Sequence, residues 1–267
     1  MKTKGSSMKV VMQFILTIVA LTVSNAGGMG DGNELKYGAI VRTDKTKKEI
    51  HLVFTGHHFA DGGMLLRKCF KRHHVKASFF FTGDFYRNPD FIEIIKGLRK
   101  DGHYLGGHSD KHIRYALSEC LDSTLITKEE FMIDIENNYA AMAKFGIRKS
   151  DAPFFLPPFE VYNQTITERT KEAGLTLINF TPGTMSNEDY SIPSMGQEYA
   201  GSDRIYESII GYEKSHKDGL NGFILLCHIG TEPDRTDKFY SRMDTLITEL
   251  EGKGYRFTLL NSLLGQK

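Results

Sequence analysis

The chain has 267 residues, of which 40% are hydrophobic and 25% are charged. It is therefore long enough to bury a full core and needs no disulfide or metal staple in order to fold. Its formal net charge of +1 leaves no bulk charge that would attract nucleic acid or an anionic membrane surface. Composition thus argues against both of those partner classes.

The first residues have the pattern of a secretory signal. Three lysines precede an apolar run at residues 10–23, which is too short for a comfortable membrane span, and Ser24-Asn25-Ala26 fits a signal peptidase site. We expect a secreted or periplasmic protein with no stable membrane insertion after cleavage; an uncleaved N-terminal anchor is the alternative. The predicted parts are a signal peptide, an N-terminal segment and one domain, at residues 1–26, 27–49 and 50–267.

Short apolar runs rich in β-branched and aromatic residues then alternate with longer amphipathic stretches, which indicates strands separated by helices. The predicted strands are Ile50–Thr55, Lys76–Phe81, Gly102–Gly106, Ala152–Leu156, Thr176–Phe180, Gly222–Cys227 and Arg256–Leu260. The predicted helices are Gly63–His73, Asp90–Lys100, Thr127–Phe145, Tyr162–Ala173, Asp203–His216 and Asp237–Gly252. The clearest start is at Thr127, which forms a capping box with Glu130.

Strands that alternate with helices predict an α/β protein with a parallel sheet, and a sheet of about seven parallel strands can close into a distorted (β/α) barrel. An open, doubly wound sheet is the alternative. In both architectures the active-site residues gather at the C-terminal ends of the strands. The residues that follow each predicted strand are therefore the first candidates for a functional site.

Polar side chains follow four of the predicted strands. They are His57, His58, Asp61, His108, His112, Glu160 and His228. His108 and His112 are four residues apart, so both rings can face one metal ion, although a pair of solvated turn histidines has the same spacing. One aspartate and two histidines from neighbouring strand ends make three protein ligands that leave coordination positions open for water and substrate. Open positions are typical of a catalytic site.

These motifs resemble those of the polysaccharide deacetylases, or NodB-homology carbohydrate esterases, which share a distorted (β/α) barrel. The resemblance covers residues 50–260. It rests on His108-Ser109-Asp110-Lys111-His112 for an H-[ST]-x-x-x-H motif, Asp61-Gly62 for the end of T-F-D-D-G, and Leu226-Cys227-His228 for L-x-H. It implies that Asp61, His108 and His112 hold a divalent metal, with Zn²⁺ preferred and Ni²⁺, Co²⁺ or Mn²⁺ as alternatives. It also implies that His228 is the general acid.

The chain departs from this family pattern at three places. Ala60 stands where the aspartate base is expected, and Leu156 stands where the family has the arginine that orients that base. Residues 181–184 replace a D-x-W motif that would supply a partner for His228. Because alanine cannot accept a proton, we consider Glu160, then His57, then His58 as the base.

Four further residues are candidate contacts for a substrate. Tyr162 and Asn163 follow Glu160 and could line a sugar subsite, Thr184 follows the fifth strand, and Arg235 lies in the loop after His228. A surface position without function is the alternative for Tyr162 and Asn163. Arg235 could instead pair with a local aspartate.

The function implied by the resemblance is metal-dependent hydrolysis of N- or O-acetyl groups on a glycan, with a polysaccharide or oligosaccharide as substrate. Two alternatives remain open at this point. One is a metal-containing carbohydrate-binding module that has lost catalysis. The other is a hydrolase that acts on a different amide or ester bond.

Overall fold

The structure is a computed structural model that describes residues 32–117 and 123–260. The predicted signal peptide at residues 1–26 lies outside the described residues. Within the described ranges, no helix is long and apolar enough to cross a membrane.

The described residues form one sheet surrounded by helices. The strands are β1 Glu34–Lys36, β2 Ala39–Arg42, β3 Glu49–Gly56, β4 Ser78–Phe81, β5 Tyr104–Gly107, β6 Phe154–Phe155, β7 Thr176–Leu177, β8 Phe223–His228 and β9 Arg256–Phe257. The helices are α1 Gly63–His73, α2 Gly83–Arg87, α3 Ile92–Lys100, α4 Lys128–Ala143, α5 Gln164–Glu172, α6 Ser202–Ser215 and α7 Met243–Gly252. Each of the predicted strands and helices has a counterpart among these elements.

The sheet has the strand order β1-β2-β8-β3-β4-β5-β6-β7, and β9 also pairs with β3. Strands β3 to β9 are joined by parallel pairings, which confirms the prediction of a barrel-like α/β fold with seven parallel strands. The sheet curls until Ile40 of β2 forms a parallel bridge with Ile178, just after β7. The open-sheet alternative is therefore wrong, because β2 joins the two sides of the sheet.

Strands β1 and β2 lie before Ile50, in the segment that we expected to precede the domain. They form a tight hairpin whose turn residues, Tyr37 and Gly38, both have positive φ angles, of 46° and 80°. Such a turn normally carries Asn-Gly or Asp-Gly, so Tyr-Gly is a weak sequence signal. The hairpin was missed for that reason, although Arg42 pairs directly with Phe223 of β8.

The central strands are buried on both faces, as expected where helices cover a parallel sheet. Seven of the eight residues of β3 and five of the six residues of β8 are buried. Strand β6 is shorter than the predicted run Ala152–Leu156 because Pro153 and Pro157 flank it, and proline has no N–H to donate to the sheet. The chain therefore leaves the sheet early at β6 and turns into the loop that carries Glu160.

Helix α4 holds the loop that follows β5. The Asn138 Oδ1 atom accepts a hydrogen bond from the His108 backbone N–H at 3.0 Å, and Asp134 Oδ2 accepts one from the Asp110 N–H at 2.9 Å. Asn138 also donates to the Phe81 carbonyl at 3.2 Å. A Cβ atom at Gly107 would lie only 2.5 Å from Asn138 Oδ1, so a glycine is needed for this close approach.

We predict that Gly107→Ala destabilises the fold by about 1–3 kcal/mol, because the added methyl group must displace Asn138. Chemical denaturation measures this as a lower free energy of unfolding. The matched control is Gly211→Ala in α6, where a Cβ meets nothing within 4 Å, and helix propensity there favours alanine by about 0.5–1 kcal/mol. Equal stability of the two variants would contradict the packing argument.

Candidate functional site

The polar residues predicted from the sequence gather at the C-terminal ends of the parallel strands. His57 and His58 follow β3, His108 and His112 follow β5, and His228 is the last residue of β8. Thr55 of β3 pairs in register with His228, and Gly107 of β5 lies two strands away from β3. The sheet thus brings histidines from three strand ends to one edge.

Four of these side chains, His57, His58, His108 and His112, form a group that we call the mouth histidines. Their ring centroids are 3.6 Å apart for His57 and His58, 4.9 Å for His57 and His112, and 5.0 Å for His108 and His112. The His108 Nδ1 atom lies 2.9 Å from the Leu156 carbonyl oxygen, and His57 Nδ1 lies 3.0 Å from Thr82 Oγ1. The Nδ1 contact of His108 leaves its Nε2 atom for another partner.

Burial keeps the two histidines after β5 uncharged at neutral pH. Loss of hydration lowers the pKa of His108 to about 3 and that of His112 to about 2, and neighbouring histidines add to both shifts. The pKa of His57 is lowered by burial and by His58. A neutral imidazole is the form that binds a metal ion, so these rings have the protonation state of ligands.

This burial predicts a loss of stability in acid for the metal-free chain. The unfolded state binds a proton at His108 below about pH 6.5, whereas the folded state does not until about pH 3. The free energy of unfolding should therefore fall as the pH drops through that window, by about 1.4 kcal/mol per pH unit for this histidine. His108→Asn should make the slope shallower in denaturation measured in chelating buffer. Gly107→Ala is the destabilised control, and parallel slopes in His108→Asn and this control would contradict the prediction.

His228 has a buried carboxylate partner. Its Nδ1 atom lies 2.6 Å from Asp189 Oδ1, and its backbone N–H donates to Asp189 Oδ2 at 2.9 Å. Burial is the largest single effect and opposes the charged ring, but Asp189, Glu160 and Glu188 together outweigh it and raise the pKa of His228. Sequence analysis did not find Asp189 because it lies 39 residues before His228 with no local motif between them.

Glu160 interacts electrostatically with both residues of this dyad. It follows β6 in a short 3₁₀ turn, where both Phe159 and Glu160 have positive φ angles of 59° and 56°. Burial raises the pKa of the Glu160 carboxyl to about 7, while His228 lowers it. Two consecutive non-glycine residues in this backbone region are strained, which is common at functional sites.

Comparison with known proteins identifies the family of this chain. The family model for polysaccharide deacetylase matches residues 44–178. The chain belongs to the polysaccharide deacetylase family. It is 24% identical over 233 residues to the peptidoglycan-N-acetylmuramic acid deacetylase PdaA of Bacillus subtilis, covering 87% of this chain and 77% of that protein.

Solved structures of the family share the fold. The structure of Bacillus subtilis PdaA, a family 4 carbohydrate esterase, has a TM-score of 0.65 at 22% identity and covers 85% of both chains. A family 4 carbohydrate esterase pseudoenzyme from Bacillus anthracis has a TM-score of 0.66 at 18% identity, over 87% of this chain and 71% of that one. At these identities the likeness shows the polysaccharide deacetylase fold, and it includes a relative that is described as a pseudoenzyme.

The deacetylase resemblance assigned Asp61 to the metal, but the ligand atoms of Asp61, His108 and His112 do not all lie within 4.8 Å of one another. Asp61 is 41% exposed, and its Oδ2 atom accepts from the Tyr240 hydroxyl at 2.6 Å and lies 3.1 Å from Lys238 Nζ. Strand β3 ends at Thr55-Gly56, so the two residues after it are His57 and His58. Counted from the threonine of T-F-D-D-G, these histidines occupy the two aspartate positions that we had placed at Ala60 and Asp61.

Three of the predicted substrate contacts have structural partners instead. Arg235 is fully buried and donates to the carbonyls of Ser191 and Ala200, so it cannot reach a substrate. Tyr162 is buried and donates to the Lys36 carbonyl. Asn163 is the N-cap of α5, where its side chain accepts from the Ile166 N–H. Each of these three residues therefore caps or bridges elements of the fold.

Thr184 and two exposed aromatic residues remain near the surface of this region. Thr184 is partly buried and donates to Ser186 Oγ at 3.2 Å. The Phe159 ring is 40% exposed and lies 4.4 Å from the His112 ring, and Tyr190 is 46% exposed with its ring 5.6 Å from that of His228. Exposed aromatic faces beside polar groups can stack on sugar rings. The sequence analysis had not singled out either aromatic residue.

The donor types of the mouth histidines fit a transition metal, because neutral imidazole binds Zn²⁺, Ni²⁺, Co²⁺ and Cu²⁺. No three of these histidines have their ring nitrogen atoms within 4.8 Å of one another. In residues 32–117 and 123–260, the one set of three metal-binding side chains with all ligand atoms within 4.8 Å of one another is Cys69, His73 and Asp244, elsewhere in the fold. A metal at the mouth would therefore require the imidazole rings to turn towards it.

Proposed function

We propose that this protein hydrolyses acetyl groups on a glycan and that N-acetylated peptidoglycan is the first substrate to test. The His228–Asp189 dyad, which interacts electrostatically with Glu160, is the observation that carries the proposal. Peptidoglycan enters because the relative PdaA is named as a peptidoglycan deacetylase. A substrate in the cell wall also agrees with the secretion that the N-terminal sequence predicts.

His228 is suited to be the general acid. Asp189 accepts the hydrogen bond from Nδ1–H and stabilises the imidazolium, so a second proton is carried on Nε2. When water adds to the acetyl carbonyl and the carbon–nitrogen bond breaks, that proton goes to the departing sugar amine. The products are then acetate and a free amino sugar. In the O-acetyl case the same proton goes to the departing hydroxyl.

Glu160 is our first choice for the base, and His57 and His58 are retained as alternatives. A carboxyl with a pKa of about 7 is ionised in half of the molecules at neutral pH and can accept a proton from the attacking water. His57 is less able to accept a proton from water, because its Nδ1 atom contacts the Thr82 hydroxyl. Glu160 has no such contact to its carboxylate among the hydrogen bonds of the described residues, and its electrostatic neighbours are His228, Asp189 and Glu188.

We propose that His108 and His112 hold a divalent metal with a third nitrogen from His57 or His58 rather than with Asp61. The ion would polarise the acetyl carbonyl and make water a better nucleophile at neutral pH. An all-imidazole set favours Zn²⁺, Ni²⁺ or Co²⁺ over Mn²⁺, which prefers carboxylate oxygen. Phe159 and Tyr190 would contact the sugar, with Thr184 at the edge.

The direct test is acetate release from N-acetylated peptidoglycan by the wild type and two variants. We expect His228→Ala and Glu160→Gln each to lower kcat/KM by about 10²–10⁴, the usual contribution of an acid or base. Binding of the glycan should persist in both. Full activity in both variants would refute the assigned roles. Binding without acetate release in the wild type would instead support the carbohydrate-binding module.

The pH dependence tests the dyad separately. Activity should rise as Glu160 loses its proton near pH 7 and fall as His228 loses its own, with apparent pKa values that belong to the coupled pair. Asp189→Asn removes the carboxylate that stabilises the imidazolium, so the alkaline limb of the profile should move to lower pH. An unchanged limb would show that Asp189 does not control His228.

Chelation tests the metal. We expect chelator treatment to abolish acetate release and added Zn²⁺ to restore it, because the ion supplies the activation of water and carbonyl. His112→Ala should need more Zn²⁺ for restoration, and so should either His57→Ala or His58→Ala, according to which of them supplies the third nitrogen. Asp61→Asn should be restored like the wild type. The Zn²⁺ concentration that restores acetate release in each variant identifies the mouth ligands, even if metal also binds elsewhere in the protein. Activity that survives chelation would exclude the metal from the reaction.

A further inference from the structure

A second group of metal-binding side chains lies between α1 and α7, away from the mouth histidines. Cys69 and His73 are four residues apart on α1, so both side chains lie on the same face of the helix. Asp244 is in the first turn of α7. One ligand atom from each of these three residues lies within 4.8 Å of the others.

The surroundings of His73 match those of a metal-bound histidine. Its Nε2 atom lies 2.8 Å from Asp244 Oδ1, and its Nδ1 atom lies 3.2 Å from Glu251 Oε2 on the same helix α7. A metal-bound histidine usually gives its other ring N–H to a carboxylate, which fixes the ring for binding. Glu251 can serve in that way while Nε2 faces Asp244 and Cys69.

The charges of this site and its access to solvent also suit a divalent cation. A thiolate at Cys69 and carboxylates at Asp244 and Glu251 together carry three negative charges. A divalent ion and the Arg72 guanidinium, which lies 3.1 Å from Asp244 Oδ1, would balance them. Cys69 is buried, but the carboxylates of Asp244 and Glu251 are partly exposed, so an ion can enter from solvent.

We propose that Cys69, His73 and Asp244 form a structural metal site for Zn²⁺ or a similar thiophilic divalent cation, with Glu251 orienting His73. The bound ion would clamp α1 to α7. Thiolate, imidazole and carboxylate are all ligands of Zn²⁺, and the ion would displace the Cys69 thiol proton to solvent. This site does not depend on the deacetylase chemistry, since it lies on the outer helices and contains none of the proposed catalytic residues.

Co²⁺ added to the purified, chelator-treated chain tests the site, because a cobalt–thiolate bond gives a charge-transfer band that histidine ligands do not. We expect this band in the wild type, in Cys227→Ser and in Cys120→Ser, and its loss in Cys69→Ser. The mouth histidines contain no thiol and cannot produce it. No band in the wild type, or a band that persists in Cys69→Ser, would overturn the proposal.

A second measurement guards against misfolding of the variant with a changed buried thiol. Zn²⁺ should raise the thermal midpoint of the wild type, because an ion that binds the folded state stabilises it. Asp244 is partly exposed, and Asp244→Asn should raise the Zn²⁺ concentration needed for the same thermal shift at least tenfold. Glu251→Gln should raise that concentration by about 10–100-fold. Equal Zn²⁺ responses in the wild type and in both variants would overturn the site even if the mouth metal and the acetate release are confirmed.

Discussion

The hydrogen-bond register between β3 and β8 governs the geometry of the site. Pairing from Ile50 with Phe223 to Thr55 with His228 fixes where both strands end, and the functional residues follow immediately. A shift of one residue would turn every side chain of the shifted strand to the other face of the sheet and would move His228 away from Asp189. The chain maintains this register with strands that are buried along almost their whole length, so the cost of any slip is large.

The site combines two opposite electrostatic environments within one opening. On one side, imidazoles lie so close together and so far from solvent that His108 and His112 remain neutral. On the other side, carboxylates stabilise a proton on His228, while burial, with smaller contributions from Asp189 and Glu188, raises the pKa of Glu160. Groups of the same chemical type thus acquire different protonation states from their surroundings, as acid–base catalysis requires.

The sequence predicted those features of the fold and of the site that depend on residues close together in the chain. The apolar runs and the capping box at Thr127 gave the seven parallel strands and the helices, and α1 begins and ends where its pattern does. The partner of His228 could not be predicted, because only the folded loop after β7 brings Asp189 to it. The assignment of Asp61 depended on the match of Asp61-Gly62 to the end of a short motif, whereas the end of β3 at Gly56 places His57 and His58 directly after the strand.

The hairpin of β1 and β2 has a consequence for the behaviour of the protein outside its native state. Strand β2 lies between β8 and the residue that follows β7, so it satisfies backbone groups on both. Without it, two strands of an apolar sheet would present unpaired N–H and C=O groups to other chains, and such open edges nucleate aggregation. Residues 34–42 therefore cover backbone groups on both sides of the barrel, although this segment contributes no group to the proposed chemistry.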